Sequence, residues 1–231
     1  MLGIALEILL SYFILKYFNH NFVDALGLKP DRRKLMQLAL GIMFPILFFC
    51  IFKFTLAWLV HNPYKMNPGY TMQDLIGAVA YVFRAVLYEE LIFRGALLYL
   101  LIQKTGTNRA MLVSSAAFGI YHWFAWQAFG NPVQMLVIFL MTGSCGYIFA
   151  LAFVRTRSMY LPFALHLGNN ITQMILFSGD ASIGDQMLLR TFTTDPVVPQ
   201  AIISIPVLII HYTGFQLLGW YLLMKVKPDL S

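Results

Sequence analysis

Apolar residues run along this chain in long blocks, and polar residues gather at the joints between them. A helix needs about 20 residues to cross ~30 Å of hydrocarbon. About seven blocks approach that length: Met1–Phe18, Leu35–Val60, Leu75–Ile102, Arg109–Trp126, Pro132–Val154, Met159–Phe177 and Gln200–Met224. The pattern predicts an all-α, polytopic transmembrane helical bundle of about seven spans, bounded by six and eight. No repeat, low-complexity tract or soluble insert interrupts it, so residues 1–231 read as one integral-membrane domain. The first block lacks a basic lead and a small-residue cleavage site, and is read as a retained span.

Composition agrees with the pattern. Hydrophobic residues make up 59% and charged residues 11%, with a mean hydropathy of +0.71, whereas about a quarter of an ordinary soluble domain is charged. The net charge of +6 would suit nucleic acid, but its position argues for topology instead. Bases fill alternate joints: Lys29, Arg32, Arg33 and Lys34; Lys104 and Arg109; Arg155 and Arg157; Lys225 and Lys227. The intervening joints are poor in bases, and Ser178–Pro199 holds three Asp against one Arg. The alternation predicts an N-terminus outside and a C-terminus in the cytoplasm; the chain is expected to be a multi-pass protein of a prokaryotic plasma membrane. Lys29–Lys34 would also suit anionic lipid headgroups, which topology already explains. Cys50 and Cys145 both sit in apolar blocks and suggest neither a disulfide nor a cysteine-based metal site. Trp123, Trp126 and Trp220 lie near block ends, as in interfacial belts.

The third block breaks the pattern, with Arg84, Glu89, Glu90 and Arg94 inside it. Each central charge costs about 2.5–3.5 kcal/mol on insertion scales, while a Leu or Phe returns only ~0.3–0.6. Such charges face a protein interior or a water cavity. Residues four apart share a helix face, so Glu90 and Arg94 are expected to pair and leave Glu89 free for chemistry. By the same spacing Phe118 lies with His122, and His166 with Asn170. Counted from the basic ends of their blocks, Glu89, His122 and Asn170 lie roughly 16–20 Å deep and His166 about 10 Å. Arg84 and Lys53 read as snorkelling residues, with the cavity as a second place for Arg84. His211 and Tyr212 read as packing residues rather than site residues.

A carboxylate and a histidine sharing a water can deprotonate it, and N–H donors from another helix can hold the oxyanion formed at an amide. Ser114, Ser115, Ser144 and Cys145 form no nucleophile motif with either histidine. The competing chemistry is a divalent metal, zinc, on Glu89, His122 and His166 with water in the fourth position. The tight His-Glu-x-x-His spacing of a strong zinc motif is absent, and metal-free glutamate chemistry is preferred.

These residues resemble a known family. "EELIFR" (Glu89, Glu90, Arg94), "FGIYH" (Phe118, His122) and "HLGNN" (His166, Asn170) match, in order, the three motifs of the CAAX protease and bacteriocin-processing family, also called Abi, whose best-known branch is the Ras-converting CAAX endopeptidase. The resemblance implies an intramembrane endopeptidase with its catalytic core over about 75–224. Glu89 and His122 would activate water, His166 and Asn170 would form the oxyanion site, and Glu90, Arg94 and Phe118 would support them. The CAAX branch carries its Glu pair in the fourth of eight spans, whereas here the pair falls in the third of about seven, so prenyl recognition does not follow. Expected partners are membrane lipids and a peptide or protein substrate at the bilayer: a lipidated C-terminus, a leader peptide or a C-terminal sorting tail. The alternatives are a non-enzymatic scaffold or bacteriocin self-immunity protein, and a proton-coupled transporter. The transporter lacks support from any inverted repeat.

Overall fold

The computed structural model describes residues 2–177, 186–190 and 201–226. Helices dominate: α1 (Leu2–Tyr17), the short α2 (Phe22–Ala25), α3 (Arg32–Leu59), α4 (Met72–Arg94), α5 (Ala96–Thr105), α6 (Thr107–Ala125), α7 (Pro132–Thr156) and α8 (Tyr160–Asn170). A π-helical turn, Ile171–Leu176, prolongs α8. Beyond it come α9 (Ala201–Ile209), a second π-helical turn (Ile210–Gly214) and α10 (Phe215–Lys225). The expected all-α class holds apart from one small feature. Strands β1 (Tyr64–Met66) and β2 (Leu188–Arg190) pair antiparallel, with Lys65 opposite Leu189. Most of the acidic joint expected over Ser178–Pro199 lies outside the described residues.

Capping fixes several helix starts. Asp31 accepts from the Lys34 backbone N–H at 2.8 Å, a bond that also holds the Asp31 carboxyl below the usual carboxylate range. Thr71 and Asp74 form a reciprocal capping box at the start of α4. Asn131 caps α7, where Pro132 takes a first-turn position that needs no N–H donor.

Among the described residues, three stretches are long and apolar enough to cross a membrane on those grounds alone: Arg32–Leu59, Pro132–Thr156 and Ile203–Lys225. The remaining expected spans are shorter or carry the polar residues of the site. Two of them also differ from a straight helix. The third block is interrupted at Gly95, where φ is −78° and ψ −141°, and a Cβ there would lie 2.1 Å from the Leu91 carbonyl oxygen. Only glycine fits that bend. Depth measured from Ile102 to Glu89 therefore runs across a corner and is not a straight ruler. The sixth block widens into its π-helical turn directly after Asn170, a distortion frequent at functional sites.

The core is centred on α7, whose segment from Ile148 to Phe153 is buried on all sides as α6, α8 and α10 pack around it. Large apolar residues on the outer faces stay exposed, including Trp58, Leu112, Val133 and Leu217, as lipid contact requires. Trp123 Nε1 donates to the Met135 carbonyl at 2.7 Å and so links the end of α6 to the start of α7. Lys53 places its ammonium 5.4 Å from the Phe177 ring centre.

Helices α3 and α8 cross closely because small residues meet there. A Cβ at Gly168 would lie 2.3 Å from the Ile42 carbonyl oxygen and 2.6 Å from Pro45 Cγ. Backbone cannot yield as a flexible side chain can, so Gly168→Ala must push the two helices apart. The expected cost is about 1–3 kcal/mol, read as a lower thermal midpoint in detergent. An unchanged midpoint would show the crossing to be looser than these distances state.

Candidate active site

The lower half of α4 turns one face inward. Tyr81, Arg84, Ala85, Tyr88 and Glu89 all line a cavity of about 1000 Å³, a spacing that puts them on one stripe. Phe118, Tyr121 and His122 of α6, Cys145 and Phe149 of α7, and His166 and Asn170 of α8 close other sides.

Behind this wall lies a sealed ion cluster. Glu90 and Arg94 are both 0% exposed, with Glu90 Oε1 at 3.1 Å from Arg94 Nη1 and 2.8 Å from His166 Nδ1. The pairing inferred from the four-residue spacing is present, and a third member joins it from α8. Isolated charges are expensive in such surroundings, so the cluster persists only because each member offsets another. The guanidinium also sits 4.3 Å from the Phe118 ring centre and 5.2 Å from that of Phe149, which adds cation–π attraction. Arg94 Nη2 donates to the Gly146 carbonyl at 3.4 Å and ties α4 to α7.

This cluster sets the orientation of His166. Its Nδ1 must carry a proton, because the Glu90 carboxylate only accepts. The ring lies flat on Phe149, centroids 4.7 Å apart at 18°. Nε2 consequently points toward the cavity, 3.3 Å from Asn170 Nδ2 and 3.6 Å from Glu89 Oε2. Asn170 is held at its other end, where Oδ1 accepts from Asn169 Nδ2 at 3.0 Å. His122 is fixed by its own helix, with Nδ1 2.8 Å from the Phe118 carbonyl oxygen. A carbonyl only accepts, so Nδ1 is the N–H and Nε2 keeps its lone pair.

Glu89 differs from its neighbour. Its side chain is 15% exposed, and its Oε2 accepts no hydrogen bond from any described residue. Glu89 and His122 line the same cavity from different helices without a hydrogen bond or ion pair between them, and the contact Glu89 does make is with His166. Among the described residues, no three His, Cys, Asp or Glu side chains gather closely enough to hold a metal ion. The Nδ1 contact to Glu90 leaves Nε2 of His166 available as a ligand, but Glu89, His122 and His166 are not gathered closely enough in this arrangement to fit a zinc centre.

Several polar neighbours escaped the sequence reading. Glu7 of α1 accepts a hydrogen bond from Tyr88, next to Glu89. Gln216 of α10 reaches Ser144 Oγ and Cys145 Sγ, both at 3.3 Å. His211 and Tyr212, which the sequence reading names but as packing residues, line the cavity, and the His211 ring also stacks on Phe52. A lone carboxylate in the first apolar block was the available signal for Glu7. Nothing local marks Gln216, because its significance comes from a helix contact.

Comparison with known proteins bears on the same stretch. The family described as type II CAAX prenyl endopeptidase Rce1-like matches residues 71–172, somewhat under half of the chain. No curated protein and no solved structure matches. The matched segment runs from the cap of α4 to just past Asn170 and contains Glu89, Glu90, Arg94, Phe118, His122, His166 and Asn170. The segment that folds the three motifs onto one cavity is thus similar to the type II CAAX prenyl endopeptidase Rce1-like family.

Proposed function

We propose that this protein is an intramembrane endopeptidase that cleaves a membrane-associated peptide or protein by activating water with Glu89 and His122. The observation that carries the reading is the meeting, at one cavity, of a Glu89 carboxylate oxygen that accepts no hydrogen bond from a described residue, a lone-pair nitrogen on His122 and a fixed carboxamide on Asn170. Water between Glu89 and His122 gives up a proton as its oxygen bonds to the scissile carbonyl carbon. Asn170 Nδ2 carries two hydrogens. One is directed at His166 Nε2, and the other is free for the developing oxyanion. His166 holds Asn170 in place, and Glu90 and Arg94 hold His166. When the C–N bond breaks, the proton held by Glu89 passes to the leaving nitrogen, and the water oxygen stays on the new carboxyl group.

A multi-pass position in a prokaryotic plasma membrane suits this chemistry, because the substrate would reach the cavity from within the bilayer. Substrates of that kind include lipidated C-termini, leader peptides and C-terminal sorting tails. The test compares peptide termini in membranes with and without the protein, with and without a chelator. New termini are expected that depend on the protein and survive chelation. Termini lost on chelation and restored by zinc would move the water to a metal. No difference in termini would favour the scaffold or self-immunity role over proteolysis.

A further inference from the structure

Away from the active site, the fold brings two of the basic joints to one cleft of about 270 Å³. Asp24 of α2, Lys29 of the joint after it, Lys34 in the first turn of α3 and Arg157 at the end of α7 all line it. Topology asks for bases on this side of the membrane, but not for bases of separate joints to share a cleft. The two joints are bolted together. A Cβ at Gly27, where φ is +59°, would collide with the Arg157 carbonyl oxygen. Ser158 Oγ donates to the Gly27 carbonyl at 3.1 Å, and the Met159 backbone N–H donates to the Leu26 carbonyl at 3.1 Å.

Arg157 closes α7 with φ 50° and ψ 35°, the left-handed conformation that glycine or asparagine usually takes. An arginine there costs backbone strain, and its exposed guanidinium makes no hydrogen bond or ion pair with a described residue. Arg155 already supplies a base at this end of the span. Lys34 is held in place: its Nζ donates to the Lys29 carbonyl at 2.8 Å and lies 3.4 Å from Asp31 Oδ2, with the side chain 18% exposed. One of its three hydrogens remains for a ligand. Lys29 pairs with Asp24 at 2.8 Å, but both side chains are largely exposed, and a pair in water holds weakly. With Asp24 in the lining and Asp31 behind Lys34, the three cations still leave the cleft positive.

The level of the cleft points to the source of an anion. Both α3 and α7 are long and apolar enough to cross a bilayer, and the cleft lies where α3 begins at Arg32 and α7 ends at Thr156. That level is the edge of the hydrocarbon, where phospholipid phosphates lie. A guanidinium fork meets two phosphate oxygens at once. The volume falls just below the roughly 300–1,000 Å³ of small-molecule sites, and suits a phosphate with its ester oxygens better than a whole cofactor. We propose that this cleft binds a phosphate group through Arg157, Lys34 and Lys29, and that the phosphate is the headgroup of an anionic phospholipid in the leaflet on the basic side. The assignment stands whether or not the protein cuts peptides.

The test uses the full-length protein, stripped of lipid in a neutral detergent, with native mass spectrometry to count bound molecules. It is titrated in turn with phosphatidylglycerol, with phosphatidylcholine, whose choline cation opposes the three bases, and with inorganic phosphate. Phosphatidylglycerol is expected to fill one saturable site about tenfold more tightly than phosphatidylcholine. Arg157→Gly suits the left-handed backbone and keeps the fold, and it should remove most of that preference. Lys34→Gln should weaken it several-fold, while Arg155→Gln, outside the lining, should leave it within about twofold. Equal binding of the two lipids by the wild type overturns the proposal, as does a preference that survives both Arg157→Gly and Lys34→Gln. A loss of the same size with Arg155→Gln shows diffuse attraction to a charged face and also overturns it. Inorganic phosphate that binds as tightly as the lipid, with the same dependence on Arg157, assigns the cleft to a soluble anion and overturns the lipid assignment.

Discussion

A chain carrying Glu89→Gln is expected to fold, reach the membrane and cleave nothing detectable. The substitution keeps the shape of the side chain and removes only its ability to take a proton, a function worth about 10²–10⁴ in rate for a positioned general base. Glu89 lies outside the sealed cluster: Glu90, not Glu89, pairs with Arg94 and with Nδ1 of His166. Thermal stability should therefore stay within about 0.5 kcal/mol of the wild type. The loss should fall on kcat, because the cavity keeps its shape and its binding groups. Glu89→Asp, whose carboxylate stands one methylene farther back, should keep a small fraction of the rate. A Gln variant with wild-type kcat would take the base role away from Glu89. One with normal kcat and raised KM would leave it a binding group only.

The largest stability effect is expected from Arg94→Met. It leaves the Glu90 carboxylate, itself 0% exposed, without its cation and removes the tie to the Gly146 carbonyl on α7. Breaking one side of a buried ion pair costs about 3–5 kcal/mol. Arg94→Lys should recover little, because an ammonium cannot meet Glu90, donate to Gly146 and lie over the Phe118 ring at once. Removing both charges with Glu90→Leu and Arg94→Met should cost less than the sum of the single changes. That double variant should still be inactive, since Nδ1 of His166 loses the partner that aims its ring. Chemical unfolding in detergent measures the stability terms, and a loss below about 1 kcal/mol for Arg94→Met would show the cluster to be incidental to the fold.

Much of this site was legible because helical spacing is a strong ruler. Glu90 with Arg94, Phe118 with His122, and His166 with Asn170 are each four residues apart, and each pair meets in space. The spacing does not say which groups meet between helices. It allowed Glu89 to face His122, while the fold brings Glu89 to His166 and gives Glu90 a second partner from α8. Such contacts depend on crossing angles and on close approach at residues such as Gly168, which local pattern does not encode. The blocks predicted the helices, but neither the corner at Gly95 nor the π-helical turn after Asn170 changes hydropathy enough to be seen. The β1–β2 pair is another such case, since two three-residue strands far apart in sequence leave no periodic trace.

The corner at Gly95 bears on how the protein tolerates change in length. In an unbroken helix each inserted residue turns everything beyond it by about 100°, so one insertion in the half ending at Thr105 would swing that half out of phase with the half that bears Glu89. Because α4 ends at Arg94 and α5 begins anew at Ala96, such a rotation stops at the corner. Insertions and deletions within Ala96–Thr105 are thus insulated from the angular setting of Glu89, Glu90 and Arg94, whereas a single residue added between Tyr81 and Glu89 would rotate the stripe itself.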